Sequence, residues 1–238
     1  MRVLALVSLK GGSGKTTLAA HLAVQADESG AGPLVLMDTD THGGLTDWWD
    51  ARGDDRIDMA QTNLARLGAD IDAFRRQGYR LAMIDTPPAN PVVLQSALQN
   101  ADLAVIPVRP GPQDLRAVGA TIDICERAGK PIAFVINAAA APQHRLDDVA
   151  AALAPFGTVM PNHLPYCAAM ADAMAMGGTI LEAAPDDAAA QALPLLWDQL
   201  CQRAEKNFRR TVFSAGAPLG APHPARLNAP AFGRRIAG

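Results

Sequence analysis

The chain has 238 residues, of which 49% are hydrophobic and 19% are charged, and its formal net charge is −3. This length allows one large α/β domain or two small ones, and the composition is typical of soluble globular proteins with a sizeable buried core. No apolar run reaches the ~18 residues that span a bilayer, and Lys10 and two glycines interrupt any signal-peptide pattern near the N-terminus. We therefore expect neither a membrane-spanning segment nor a secreted protein.

Strand and helix signals alternate along the chain. Apolar runs predict strands at 2–7, 34–37, 57–60, 79–84, 103–106, 132–136 and 158–160. Helical spacing predicts helices at 15–28, 64–76, 92–99, 113–128, 143–154, 168–176 and 193–208. Because the strand runs are continuously apolar, the sheet is expected to be covered on both faces and therefore mostly parallel. The sequence thus predicts a single doubly wound α/β domain over residues 1–210, with helices flanking the sheet.

The last part of the chain differs in composition. Ala, Gly, Pro and Arg dominate residues 211–238, which predicts a disordered tail that buries too little apolar area to fold. Residues 203–238 hold seven basic residues and one acidic residue, a net charge of +6, so residues 1–202 carry −9. A basic segment on an acidic body suggests a polyanionic partner, although a solvated, charge-balanced terminus explains the pattern equally well.

The three cysteines, Cys125, Cys167 and Cys201, are widely separated and odd in number. Their spacing fits neither a metal site nor a disulfide framework, so we expect reduced thiols that belong to the core. A reducing cytoplasm is the simplest location for such a protein.

A glycine-rich stretch at residues 8–17 lies between the first predicted strand and the first predicted helix. In such a turn the backbone N–H groups wrap a polyphosphate that sits at the positive end of the helix. Its glycines let the main chain approach the phosphates without a Cβ in the way. Lys15 is expected to bridge the β- and γ-phosphates, and the Thr16 hydroxyl is expected to hold Mg²⁺. The general phosphate-loop pattern has a glycine where this chain has Leu9.

Three aspartates follow predicted strands. Asp38 and Asp40 come directly after the second strand, and Asp85 comes after the fourth. Ligands of open parallel sheets bind at the carboxyl ends of the strands, which is where these side chains are placed. They can bind Mg²⁺ directly or through water and can orient an attacking water molecule.

The stretch Lys10-Gly11-Gly12-Ser13-Gly14-Lys15-Thr16 resembles the deviant phosphate loop of the ParA/MinD ATPases, in which a second, signature lysine stands at the position of Lys10. Further similar segments are Asp38-Thr39-Asp40, residues 45–49, Ile84-Asp85-Thr86-Pro87 and residues 105–115. The resemblance covers residues 3–197 and is closest to the small ParF-like ParA partition ATPases, which have no N-terminal DNA-binding extension.

The resemblance implies roles for individual residues. The nucleotide would be bound by Lys10, Gly11, Gly12, Ser13, Gly14, Lys15, Thr16 and Thr17, with Pro110 and Asn137 facing the adenine. The metal would be held by Thr16, by Asp38 and, through water, by Asp85. Catalysis would depend on Lys15, on Asp40 positioning the hydrolytic water, and on Lys10 reaching the nucleotide of a partner subunit.

The function implied is that of an ATP-hydrolysing, Mg²⁺-dependent switch that dimerises on ATP and binds DNA without sequence preference. Such a protein positions a plasmid, a chromosome or a protein cargo, acts with a ParB-like partner or a cargo adaptor, and is cytoplasmic and nucleoid-associated. Turnover is expected to be slow, on the order of 10⁻⁴–10⁻² s⁻¹. The basic residues that consecutive turns of the last predicted helix would present to DNA are Arg203, Lys206, Arg209 and Arg210, with Arg116 and Arg145 as weaker candidates.

The chain departs from the family after Asp40, where Thr41-His42-Gly43-Gly44 replaces the usual Pro-Gln-Gly. Because this segment lies near the γ-phosphate, the departure puts the switch response in doubt. His42 is interpreted as an exposed loop histidine, with contact to phosphate or to a partner as the alternative.

Other functions of the same scaffold remain open. A MinD-like membrane regulator needs a C-terminal amphipathic helix, which the Pro- and Gly-rich tail does not offer. A nitrogenase-iron-protein-like role needs paired cluster cysteines, and a tyrosine-kinase-like role needs a terminal tyrosine cluster; neither is present. An amidoligase of the dethiobiotin-synthetase kind needs a dedicated substrate pocket. A scaffold that binds ATP without hydrolysing it is the non-enzymatic alternative.

Overall fold

A seven-stranded parallel sheet forms the centre of the molecule in the computed structural model, which describes residues 1–214 and the side chains of residues 1–206. The strands are β1 Arg2–Leu6, β2 Leu34–Asp38, β3 Asp58–Gln61, β4 Leu81–Asp85, β5 Leu103–Val108, β6 Ile132–Ile136 and β7 Thr158–Val159. Their spatial order is β3-β2-β4-β1-β5-β6-β7, and every pairing is parallel. The predicted doubly wound α/β fold is confirmed.

Helices connect successive strands, and further helices follow β7. They are α1 Lys15–Glu28, α2 Gly44–Arg52, α3 Leu67–Arg76, α4 Pro91–Asn100, α5 Pro112–Arg127, α6 Gln143–Leu153, α7 Ala168–Ala175, α8 Ile180–Ala183 and α9 Ala188–Ser214. Helix α9 begins five residues before the predicted start at 193 and contains Pro194 in its interior. It also continues beyond residue 211, where the tail was predicted to begin, and residues 215–238 lie outside the described part of the chain.

Both faces of the sheet are covered, as the continuous strand runs predicted. Along β1, Leu4 and Leu6 pack with α1, α2, α7, α8 and α9 on one face, whereas Val3 and Ala5 pack with α3, α4, α5 and α6 on the other. This alternation is the two-residue period of a strand buried on both sides. Within residues 1–214, no helix is both long enough and apolar enough to cross a membrane.

A buried histidine joins the helix of the phosphate loop to α8. His21 on α1 is 0% exposed, its Nδ1 lies 2.7 Å from the carbonyl oxygen of Thr17, and its Nε2 accepts the backbone N–H of Ile180 at 3.0 Å. Because Nε2 accepts, Nδ1 carries the proton and donates to Thr17. Burial lowers the pKa of His21 from 6.5 to about 4, so the imidazole is neutral at physiological pH.

His21 is expected to make the protein less stable as the pH falls from about 6.5 to about 4. The unfolded chain binds a proton in this window and the folded chain does not, so unfolding becomes easier by about 3 kcal/mol once the folded-state pKa is passed. Urea unfolding at pH 7 and pH 4.5 measures the difference, and His21→Gln should lose the part of the pH dependence that falls in this window. An identical pH dependence in the two proteins would contradict this assignment.

Candidate functional site

The loop between β1 and α1 is held in shape by a contact from the residue that follows β6, two strands away in the sheet. Gly14 has φ +94° and precedes the first residue of α1, and a Cβ built on it would lie 2.3 Å from Nδ2 of Asn137. Asn137, directly after β6, donates that Nδ2 to the carbonyl oxygen of Ser13 at 2.8 Å. A glycine is therefore favoured at position 14, because other residues rarely adopt this positive φ and the Asn137 amide would have to move to admit a Cβ.

Lys15 begins α1 inside the site. Lys15 is only 6% exposed. Burial lowers the pKa of its ammonium group, while the charges of Asp85 and Asp40 raise it. The Ser13 hydroxyl oxygen and Oδ1 of Asp85 are buried without a hydrogen-bond partner in the described part of the chain. Buried polar atoms normally have partners, so this site is built to bind a polar ligand.

Thr16 and Asp85 meet as the sequence predicted. The Thr16 hydroxyl donates to Oδ2 of Asp85 at 2.6 Å, and burial raises the pKa of this carboxyl to about 7. No group of three or more His, Cys, Asp and Glu side chains that could bind a metal occurs among the described residues. A hydroxyl, a carboxylate with an open oxygen and nucleotide phosphates nevertheless fit Mg²⁺, which keeps several waters and takes few protein ligands.

Asp38 supports the site by capping the next helix. It is fully buried, and its Oδ1 accepts the backbone N–H of Asp40 at 2.9 Å. Its Oδ2 accepts the backbone N–H and the hydroxyl of Thr46 at 3.0 and 2.9 Å. Both carboxylate oxygens are thus used within the chain, and these bonds orient the segment of Asp40 and the start of α2. A contribution of Asp38 to metal binding stays a prediction.

Replacing Asp85 with asparagine is expected to stabilise the protein without nucleotide and to weaken its Mg²⁺ response. The raised pKa means that ionising Asp85 opposes folding, so stability falls as the pH rises from about 4 to about 7 and stays low above that. At pH 8 the variant should melt several degrees above the wild type, roughly 2–4 °C for each kcal/mol relieved. Thermal denaturation with and without Mg-ATP tests both effects. An unchanged melting temperature without nucleotide would contradict the first, and an equal Mg-ATP shift in the two proteins would contradict the second.

Lys10 lies at the rim of the loop rather than inside it. Its Nζ pairs with Oδ1 of Asp114 in the first turn of α5, and its side chain is 34% exposed. The two loop lysines are therefore separated, with Lys15 buried at the site and Lys10 at its outer edge. The contact with a partner's nucleotide stays a prediction.

A cavity of about 350 Å³ adjoins the loop. Gly14, Thr17 and Asn137 are among the residues that line it, and contact of Asn137 with a base stays a prediction. Pro110 lies outside this lining, although its neighbour Arg109 is part of it. The remaining wall comes from residues that the sequence did not single out, namely Leu18, Ala138, Leu164, Pro165, Tyr166, Cys167, Ala168, Met170 and Ala171. Its place beside the phosphate loop suits a nucleoside.

Arg203 and Lys206, two of the predicted DNA-contacting residues, lie away from this site, whereas the weaker candidates Arg116 and Arg145 lie on α5 and α6. Ala204 on α9 lines a cavity with Arg2 and Leu81, which begin β1 and β4. This part of α9 therefore lies at the amino-terminal ends of the strands, whereas the phosphate loop lies at their carboxyl ends. Arg203 there is half-buried and Lys206 is exposed. The side chains of Arg209 and Arg210 lie outside the described residues.

Comparison with known proteins decides the family. Residues 4–180 match the family CbiA, the CobQ/CobB/MinD/ParA nucleotide binding domain. The chain belongs to this family. The CobQ/CobB/MinD/ParA assignment agrees with the resemblance predicted from residues 10–16.

Relatives of this ParA/MinD-type chain include partition and positioning proteins. Maintenance of carboxysome distribution protein A from Gloeobacter kilaueensis is 38% identical over 51% of this chain and 55% of its own length. The protein of the same name from Halothiobacillus neapolitanus is 29% identical over 53% and 59%. The chain thus spans little more than half of these relatives. The chromosome-partitioning ATPase Soj of Thermus thermophilus is 26% identical over 87% of this chain and 98% of its own.

Solved structures share the fold. The MinD cell division protein of Aquifex aeolicus superposes with a TM-score of 0.72 at 18% identity, covering 85% of this chain and 98% of its own. The apo McdA structure from Cyanothece gives 0.71 at 17% identity, covering 84% and 99%. At these identities the likeness concerns the fold alone.

Proposed function

We propose that this chain is an ATP-hydrolysing switch that dimerises on ATP, binds DNA without sequence preference and positions a cargo. The observation that carries the proposal is the pair of loop lysines, one buried beside Asp85 and one partly exposed at the rim. A nucleotide-binding site needs only the buried lysine. A second cation at the rim, Lys10, can instead contact the nucleotide of a second copy of the chain.

Hydrolysis is assigned to the residues around Lys15. The loop N–H groups and Lys15 bind and orient the phosphates. Thr16 and Asp85 would hold Mg²⁺, which would supply neutralisation of the charge on the transferred phosphoryl group. Asp40 orients the attacking water. Positioning and charge stabilisation account for most of phosphoryl-transfer catalysis, so these side chains suffice for a slow ATPase.

Dimerisation is assigned to Lys10. Exchange of its contact with Asp114 for the γ-phosphate of a partner's ATP would join two copies through their nucleotides. Hydrolysis removes that phosphate and the attraction with it, as in other switches held by a γ-phosphate. A ParB-like protein or cargo adaptor that accelerates hydrolysis would then reset the switch.

DNA binding is assigned to the basic end of α9, where Lys206 is the exposed basic residue among the side chains that the structure describes. The body of the chain is acidic, so this end and the basic residues after it are where a polyanion is attracted most strongly. Binding of this kind would place the protein on the nucleoid. The names of the partition and carboxysome-distribution relatives support a positioning role, with a plasmid, a chromosome or a protein assembly as cargo.

A salt-titrated DNA shift tests the proposal. With ATP the protein should bind two unrelated duplexes equally and lose at least roughly tenfold in affinity between 50 and 200 mM salt, and with ADP it should bind neither. Lys206→Ala should weaken binding, whereas Arg75→Ala, which removes an exposed cation paired with Asp72 on α3, should not. DNA binding that ignores the nucleotide would contradict the switch, and ATP-dependent binding to anionic vesicles alone would favour the MinD-like alternative.

A further inference from the structure

The turn between β2 and α2 is fixed by short-range hydrogen bonds. It runs from Asp40 to Gly43 and is closed by the Gly43 N–H, which donates to the carbonyl oxygen of Asp40 at 3.0 Å. Gly43 has φ +70° and precedes the first residue of α2. The backbone of the turn is therefore anchored at both ends, by the strand and by the helix, and the intervening Thr41 and His42 are held in a defined place.

His42 binds one oxygen of Asp40 twice. Its backbone N–H donates to Oδ1 at 3.0 Å, and its ring Nδ1 lies 2.9 Å from the same oxygen. Because an ionised carboxylate only accepts hydrogen bonds, Nδ1 is the protonated nitrogen of this contact. Oδ2 of Asp40 makes no hydrogen bond within the described part of the chain.

Stability does not account for this contact. The His42 side chain is 88% exposed and the Asp40 side chain 18% exposed, and a contact made by so exposed a histidine adds little to the free energy of folding. What the contact does is restrain the carboxylate. Two donors on Oδ1 fix the rotation of the side chain and leave Oδ2 as its open acceptor.

We propose that His42 is a positioning residue for ATP hydrolysis, holding Oδ1 of Asp40 so that Oδ2 is presented to the attacking water. This inference rests on the proposed function, in which Asp40 orients that water. In the reaction the water oxygen bonds to the γ-phosphorus, the bond from that phosphorus to the β–γ bridging oxygen breaks, and ADP leaves with the electron pair. One water proton stays on the released phosphate and the other passes to solvent.

Steady-state kinetics test the role of His42. His42→Ala should lower kcat roughly tenfold, because a misplaced catalytic group loses much of its effect, while the KM for ATP and the melting temperature stay at wild-type values. His42→Asn should restore most of kcat, since its amide N–H stands where Nδ1–H stood. Thr41→Ala, a neighbouring exposed substitution, should behave as wild type. An unchanged kcat in His42→Ala, or no rescue by His42→Asn, would overturn the inference.

The tautomer of His42 gives a readout that needs no turnover. In ¹⁵N NMR at alkaline pH the wild type should show the Nδ1–H tautomer of His42, and Asp40→Ala should shift it toward Nε2–H. A wild type with Nε2–H would overturn the inference even if ATP is hydrolysed. Absence of ATP turnover in the wild type would overturn both the proposed function and the role of His42. The two failures are distinguishable, because the wrong tautomer in a protein that hydrolyses ATP overturns the role of His42 alone.

Discussion

Replacing Lys15 with alanine is expected to lower the affinity for ATP on the order of 100-fold, because a charge-assisted contact to phosphate inside a buried site is lost. Burial already disfavours the Lys15 ammonium, so the variant should fold at least as well as the wild type. Titration with a fluorescent ATP analogue gives the dissociation constant. Lys130→Ala serves as the matched control, since Lys130 contacts the backbone of residues 99 and 101 and not the phosphate loop.

Two outcomes would contradict the role of Lys15. An ATP affinity within a few-fold of the wild type would mean that the loop N–H groups alone bind the phosphates. An equal loss in Lys130→Ala would mean that the fold, rather than the contact, had been damaged.

Asp40→Ala is expected to lower the rate of ATP hydrolysis by about 10²–10⁴-fold while leaving ATP binding intact, since the carboxylate acts on the water and not on the nucleotide. Single-turnover phosphate release measures the chemical step, and the fluorescent analogue measures binding in the same samples. Asp50→Ala, an exposed carboxylate on α2, should hydrolyse ATP as the wild type does.

The contradicting results for Asp40 also separate the alternatives. Wild-type turnover in Asp40→Ala would exclude this carboxylate from the reaction. No hydrolysis in any of the proteins would favour the scaffold that binds ATP without cleaving it.

The parts of the site that the sequence predicts are those encoded locally. The glycines lie in the loop after β1, and Lys15 and Thr16 are the first two residues of α1, so their spacing alone indicates a phosphate site. Asp38 and Asp85 lie at strand ends, and the parallel pairing of β2 with β4 sets them opposite each other. The fold class is predicted from another local signal, namely the continuous apolar runs of the strands.

The contacts that the sequence did not predict join distant segments or depend on side-chain rotation. Lys10 and Asp114 are separated by 104 positions and Asn137 and Ser13 by 124, distances over which no pattern of residue types is diagnostic. The hydrogen bond from His42 to Asp40 depends on the turn geometry rather than on sequence spacing. From the sequence, His42 is interpreted as an exposed loop histidine without a functional contact.

Short and interrupted helices were the other weakness of the sequence-based prediction. Helix α8 has four residues, too few for a 3.6-residue period to show. Helix α9 is predicted to begin at 193, where its apolar spacing becomes clear, yet it starts at Ala188 and continues through Pro194. Burial of Leu193, Leu196 and Trp197 against the sheet stabilises this helix despite the lost backbone hydrogen bond.

The most direct measurement of the central claim is the molecular mass in solution, by size-exclusion chromatography with light scattering. Asp40→Ala is used so that ATP persists during the run. The account predicts twice the mass of the chain with Mg-ATP, the mass of a single chain with Mg-ADP, and a single chain in both nucleotides once Lys10→Ala is added. A dimer of equal strength in ATP and ADP, or one unaffected by Lys10→Ala, would contradict it.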